Sequence, residues 1–239
     1  MRLIKLPVFV LMTILSFSCV SFNKIARHDF DAGFYNLKSS VGESSLVYTN
    51  VIEDSIFVYQ VMKEGEILSP DKSSVVKADI GNIKNGDFFS RSTFSNKSID
   101  VDLTTLILKY RPLQQNVPNQ LSANFNAAIY FGFRKDFYKI IPNVSPLHEE
   151  SSYIRQVGFD AGFFAGIGVT PINPFVTENN INIEYDGFIV QKGIAAFITF
   201  DSMSVGVALS FDNLLDKNKT YWVFNQKPYF GLVIGIPNF

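Results

Sequence analysis

Few residues in this chain have the type and spacing that chemistry needs. It holds two histidines. His148 is the one with acidic company, in Pro146-Leu147-His148-Glu149-Glu150. An imidazole beside two carboxylates can be drawn as a metal ligand or an acid–base centre. A metal site needs several convergent ligands with supporting geometry, and no HxxxH or CxxC spacing is present. A solvated loop is therefore the expected role of this segment. Gly162, Gly166 and Gly168 do not make a phosphate loop, because the lysine and following helix that such a loop needs are missing. No catalytic residue, metal or cofactor is expected.

A second group consists of charges on the small or polar faces of the strand pattern: Asp100, Asp102, Arg134, Asp160 and Asp212. They could form a lumenal charge site or proton path. The expected reading is a salt-bridge network filling a narrow barrel, since isolated buried charges are costly. The polar segment 216–222 ends in Tyr221-Trp222. That pair could grip a partner or glycan, or Trp222 could sit in an interfacial belt; both readings stay open. Cys19 is the only cysteine, so no intramolecular disulfide is expected. It follows Arg2, Lys5 and the apolar run 6–17, which reads as a secretory signal. The placement resembles the lipobox of bacterial lipoproteins, with small Ser18 in place and Ser16-Phe17 departing from the pattern. Cys19 is the expected acylation site, with the tail on the periplasmic side.

The elements that must carry these residues are strands. Side chains on a strand alternate between faces. In 202–212, Val205, Val207, Leu209 and Phe211 oppose Ser204, Gly206, Ala208 and Ser210. The pattern resumes with Phe230, Leu232, Ile234 and Ile236 against Gly231, Val233 and Gly235. Phe125, Ala127, Ile129, Phe131 and Phe133 oppose Asn124, Asn126, Ala128, Tyr130, Gly132 and Arg134. Phe159, Ala161, Phe163, Ala165, Ile167 and Val169 oppose a glycine-rich row. Ile99, Val101, Leu103 and Ile107 oppose Asp100, Asp102 and Thr104. Segment 184–200 alternates less cleanly, with Lys192 on the parity of Phe188 and Val190, and a bulge there would reset it. Bulky rows facing lipid and slender rows facing a crowded lumen suit a transmembrane barrel.

Length and composition agree. The chain has 239 residues, 15% aromatic, with net charge −1, so no basic footprint argues for nucleic acid. Several strands exceed the roughly nine to eleven residues a lipid-spanning strand needs. Long polar connections at 171–182 and 213–227 alternate with a tight turn at 201–202, as in outer-membrane barrels. The expected fold is all-β: a small antiparallel transmembrane β-barrel of about eight strands over 87–239, preceded by a small β module and linker over 19–86 and a signal over 1–18. In the module, 30–37, 46–52 and 55–62 are strand candidates and 63–86 reads as a loop or linker; past that boundary, 88–94 is a further strand candidate. Six spanning strands are evident, so two more must come from upstream or from a partner. Segment 135–152 reads as a long loop on the periplasmic side.

From about Ile99 onward the chain resembles an uncharacterised family of outer-membrane β-barrel proteins from Bacteroidota. The residues that carry the resemblance are Lys109-Tyr110-Arg111-Pro112, Phe125-Asn126, Glu184-Tyr185-Asp186-Gly187, Asn213-Leu214-Leu215-Asp216, Tyr221-Trp222 and Lys227-Pro228-Tyr229-Phe230-Gly231. The resemblance implies a barrel in the outer membrane and adds no activity. Phe239 looks like the aromatic end of a barrel-assembly signal, although it is off the parity of the bulky row. The expected function is a non-catalytic structural or accessory subunit of an envelope assembly, with outer-membrane lipid and other outer-membrane proteins as partners. The alternatives are a soluble periplasmic β-barrel lipoprotein holding an apolar ligand and, third, a lipid A-modifying barrel enzyme.

Overall fold

The computed structural model describes residues 30–39, 44–53, 55–64, 67–144, 146, 150–200 and 203–236. Cys19, His28, His148 and Phe239 lie outside these residues, and with them the signal, the anchor, the histidine segment and the terminal aromatic. The strands are β1 (Gly33–Lys38), β2 (Ser44–Ile52), β3 (Ser55–Glu64), β4 (Ile67–Pro70), β5 (Val76–Asp79), β6 (Thr93–Arg111), β7 (Gln120–Ser122), β8 (Asn126–Val144), β9 (Glu150–Ile172), β10 (Tyr185–Phe200), β11 (Met203–Leu214) and β12 (Pro228–Ile236). Every pairing among them is antiparallel. Among the described residues the only helical elements are short 3-10 turns, and no helix is long and apolar enough to cross a membrane.

Strands β6, β8, β9, β10, β11 and β12 pair in that order, and β12 pairs back onto β6 to close a ring of six. This differs from the eight strands expected. The reason lies in β6, whose 19 residues serve four partners. On one edge it pairs with β8 and then β7; on the other it pairs with β1 and then β12. The expected extra strands therefore do not enter the ring. β1 takes only the first residues of β6, as in Lys38↔Thr93 and Asn36↔Ser95. It leads β2 to β5 away as a sheet below the ring, and that end is called the lower end here.

The outer surface of the ring is the bulky surface. Phe131 is 49% exposed, Phe163 70% and Val207 66%. The slender rows face inward. A six-stranded ring is narrower than the eight-stranded kind that side chains just fill, so its wall has to be thin. A Cβ on Gly162 would collide with the carbonyl oxygen of Phe131 on the neighbouring strand. One on Gly158 would stand 2.6 Å from Asp136 Oδ1 and 2.8 Å from Arg134 Nη2.

Four local expectations are corrected. Residues 135–144 and 150–152 are strand rather than loop: β8 runs to Val144 and β9 starts at Glu150, paired from Val144↔Glu150 upward. This hairpin overhangs the ring and lays Tyr138 and Ile140 on the core of the upstream sheet, with Phe30, Tyr35, Leu37, Val47, Ile56, Val58 and Phe94. Segment 63–86 contains β4, β5 and two 3-10 turns rather than only loop. Segment 88–94 is not one strand: it holds a 3-10 turn over Phe89–Arg91, and β6 starts only at Thr93. No bulge resets β10, whose register with β9 and β11 is unbroken, so Lys192 stays on the outer face beside Phe188 and Val190. A long cationic stem can lie along apolar surface while its head reaches water.

Candidate functional site

The bulge falls on β6 instead. β12 pairs Leu232 with Leu108 and Val233 with Leu106, skipping Ile107. One extra residue moves every later side chain to the other face. Asp100, Asp102, Thr104 and Leu106 face inward before it, and Lys109 and Arg111 face inward after it. Asn126 holds the kink in place. Its amide donates to the Leu106 carbonyl at 2.7 Å and accepts from the Leu106 N–H at 2.7 Å, standing in for a strand partner.

The result is an upper buried polar cluster drawn from five of the six ring strands. Lys109 and Arg111 come from β6, Asn126 from β8, Gln191 from β10, Asp212 from β11 and Tyr229 from β12. Asp212 is its centre. It accepts from Lys109 Nζ at 3.2 Å, from the Arg111 guanidinium and from the Tyr229 hydroxyl at 2.8 Å. Lys109 also donates to Gln191 Oε1 at 3.1 Å. The Arg111 guanidinium lies 5.6 Å from the Trp222 ring and 5.3 Å from the Tyr229 ring. Above this cluster Val117, Val176, Trp222, Val223 and Phe224 from the connections form a lid with Ile172, Ile189 and Leu214 from the upper parts of β9, β10 and β11. Tyr185, which packs against the lid, donates to Asp216 Oδ2 at 2.6 Å.

The lower cluster holds Asp100, Asp102, Arg134, Asp136 and Asp160, all buried. Arg134 Nε lies 2.9 Å from Asp136 Oδ1, and Nη1 lies 3.5 Å from Asp100. Gln156 donates to Asp136 at 2.9 Å, and Tyr130 donates to Asp160 at 2.6 Å. Between the two clusters sits an apolar layer of Leu106, Ala128, Tyr130, Phe164, Ala195, Phe197, Ala208 and Val233. Among the described residues, the side chains of both clusters and of the layer between them are buried. A shallow depression of about 660 Å³ lies outside the lid, lined by Asn116, Val117, Pro174, Phe175, Glu178 and Asn179.

The five charges picked from sequence are all buried inside the ring, but in two groups. Asp212 belongs to the upper cluster and the other four to the lower. Lys109 and Arg111 were missed because the bulge at Ile107 inverts their parity. Asp136 is hidden in the sequence because the polar, proline-broken segment around it reads as loop. Trp222 is buried under the lid at 3% exposure, stacked edge-on to Phe224, whereas Tyr221 is exposed. Trp222 is therefore neither a free contact residue nor a belt residue. The segments behind the family resemblance meet at this end, since Lys109, Arg111, Asn126, Tyr185, Asp216, Trp222 and Tyr229 all take part in it. No family model, curated protein or solved structure matches the chain.

Proposed function

We propose that the chain is a β-barrel of the bacterial outer membrane. In this reading it is a non-catalytic structural or accessory subunit that seats the upstream sheet at the periplasmic surface. One observation carries the reading: the ring is inverted relative to a water-soluble barrel. Its outside bears Phe125, Phe133, Phe163, Phe188 and Val207, while Asp100, Asp102, Lys109, Arg134 and Asp212 are buried within. Lipid makes that distribution favourable and water does not. An apolar lumen for a greasy ligand would need the opposite parity. A reaction would need an accessible nucleophile and base, and the buried clusters offer neither. The Bacteroidota family resemblance and acylation at Cys19 belong to the same proposal.

Cell fractionation tests it with a Cys19→Ser chain, which lacks the anchor. The protein is expected to stay in the outer-membrane fraction through carbonate and urea washes. Release into the wash would overturn the reading in favour of a tethered soluble domain.

A further inference from the structure

Charge on the lower ring strands is sorted by face. Among the described side chains of β6, β8 and β9, the carboxylates Asp100, Asp102, Asp136 and Asp160 all point inward and are buried. Apart from Arg134, which points inward against Asp136 and Asp100, the bases at this end, Lys97, Lys135, Lys139 and Arg155, point outward and are exposed. Lys38 joins them on the same face of β1, opposite Thr93. No described carboxylate on β1, β6, β8 or β9 shares this face.

The bases also face one another. Lys97 is the direct cross-strand partner of Lys135, and Lys139 of Arg155. Like charges directly opposite are destabilising in a sheet, so two such pairs in one patch call for an anion between them. The patch begins where the apolar rows end: Lys135 is the next outward residue after Phe133 on β8, and Lys97 the next before Ile99 on β6. Aromatic rings alternate with the cations. Lys135 Nζ lies 4.9 Å from the Phe137 ring, and Arg155 donates to the Tyr153 hydroxyl at 2.9 Å. The opposite end of the ring has no such sorting, because Glu178, Glu184 and Asp186 are exposed there as well as Lys219.

We propose that this face is a binding surface for the phosphate groups of anionic phospholipids in the leaflet on the upstream-sheet side. Aromatic residues favour the headgroup level, and bases beside a membrane attract anionic lipid. The acyl chains would continue onto the Phe133, Phe159 and Phe200 rows above. This inference rests on the membrane reading, and its test separates the two.

Full-length protein carrying Trp222→Phe and Phe137→Trp is placed in phosphatidylcholine bilayers. Either brominated phosphatidylglycerol or brominated phosphatidylcholine is added at equal fraction, with inorganic phosphate in the buffer to compete for a simple anion site. Phosphatidylglycerol is expected to be enriched about fivefold or more at this tryptophan. Lys97→Gln, Lys135→Gln, Lys139→Gln and Arg155→Gln together should abolish the preference. A Phe188→Trp reporter at the other end should show none. Equal quenching by both lipids at Phe137→Trp, or loss of the preference to inorganic phosphate, overturns the lipid surface alone. Absence of quenching by either lipid at both reporters overturns the membrane reading with it.

Discussion

Asp212 is the residue on which the upper ring depends. It stands between two buried cations on β6 and a hydroxyl on β12, and so ties together the strands that close the ring. Removing one partner of a buried pair strands the other charge and costs about 3–5 kcal/mol. Asp212→Ala leaves both Lys109 and Arg111 without their carboxylate, and a loss of that order is expected in urea unfolding from lipid. A loss within error would mean that water enters the cluster and shields the cations. Asn126→Ala tests the bulge. It leaves the buried N–H and carbonyl of Leu106 without their side-chain partner, for a loss of about 1–3 kcal/mol, and hydrogen exchange at Leu106 should quicken. The signal for Asn126 was present in the chain as part of Phe125-Asn126. Its role was not legible, because a side chain that replaces a backbone partner matters only once the bulge is known.

At the scale of elements, alternation made the outward rows of β8, β9 and β11 readable, because a face that meets one environment repeats every second residue. It failed where the ladder breaks or outruns the pattern. The bulge at Ile107 left no mark in a run of Leu106, Ile107 and Leu108, since apolar residues fit either face. The β8–β9 overhang carries Lys, Asp, Asn and Pro and therefore resembles loop, yet it pairs residue for residue as far as Val144↔Glu150. Lys192 resembled a parity error and is simply an outward lysine. The overhang and the upstream strands share one core, in which Tyr35 is buried with its hydroxyl 3.0 Å from the Asp31 carbonyl. Burial pushes the Tyr35 phenol up from 10.0 to about 12. The folded state then holds its proton after the unfolded chain has released it. Stability from this group is full below about pH 10 and falls as pH rises through about 12. The upstream sheet is expected to loosen in that window, and Tyr35→Phe to remove this part of the pH dependence, as read by tyrosine absorbance during unfolding. An unchanged alkaline profile in Tyr35→Phe would place the cause elsewhere.

Over the whole molecule, closure on six strands leaves a lumen occupied from end to end. The lid around Trp222, the Asp212 cluster, the Phe164 and Phe197 layer, the Arg134 cluster and the upstream core succeed one another. Among the described residues, buried side chains occupy each of these levels, so purified protein in planar bilayers is expected to give no steady conductance. Regular single-channel steps would contradict the filled interior. Strand number could not be read from the chain, because ring closure depends on which edge of β6 each strand takes, and pairing partners are not written in alternation.

The account turns on the environment of the bulky outer rows. The most direct measurement places a single tryptophan at Val207 in a Trp222→Phe chain, since Trp222 is the only native one, and reads its fluorescence in bilayers. The expected result is a blue-shifted emission that is quenched by lipids brominated along the acyl chain and untouched by aqueous iodide. Quenching by iodide with none from the brominated chains would contradict the account.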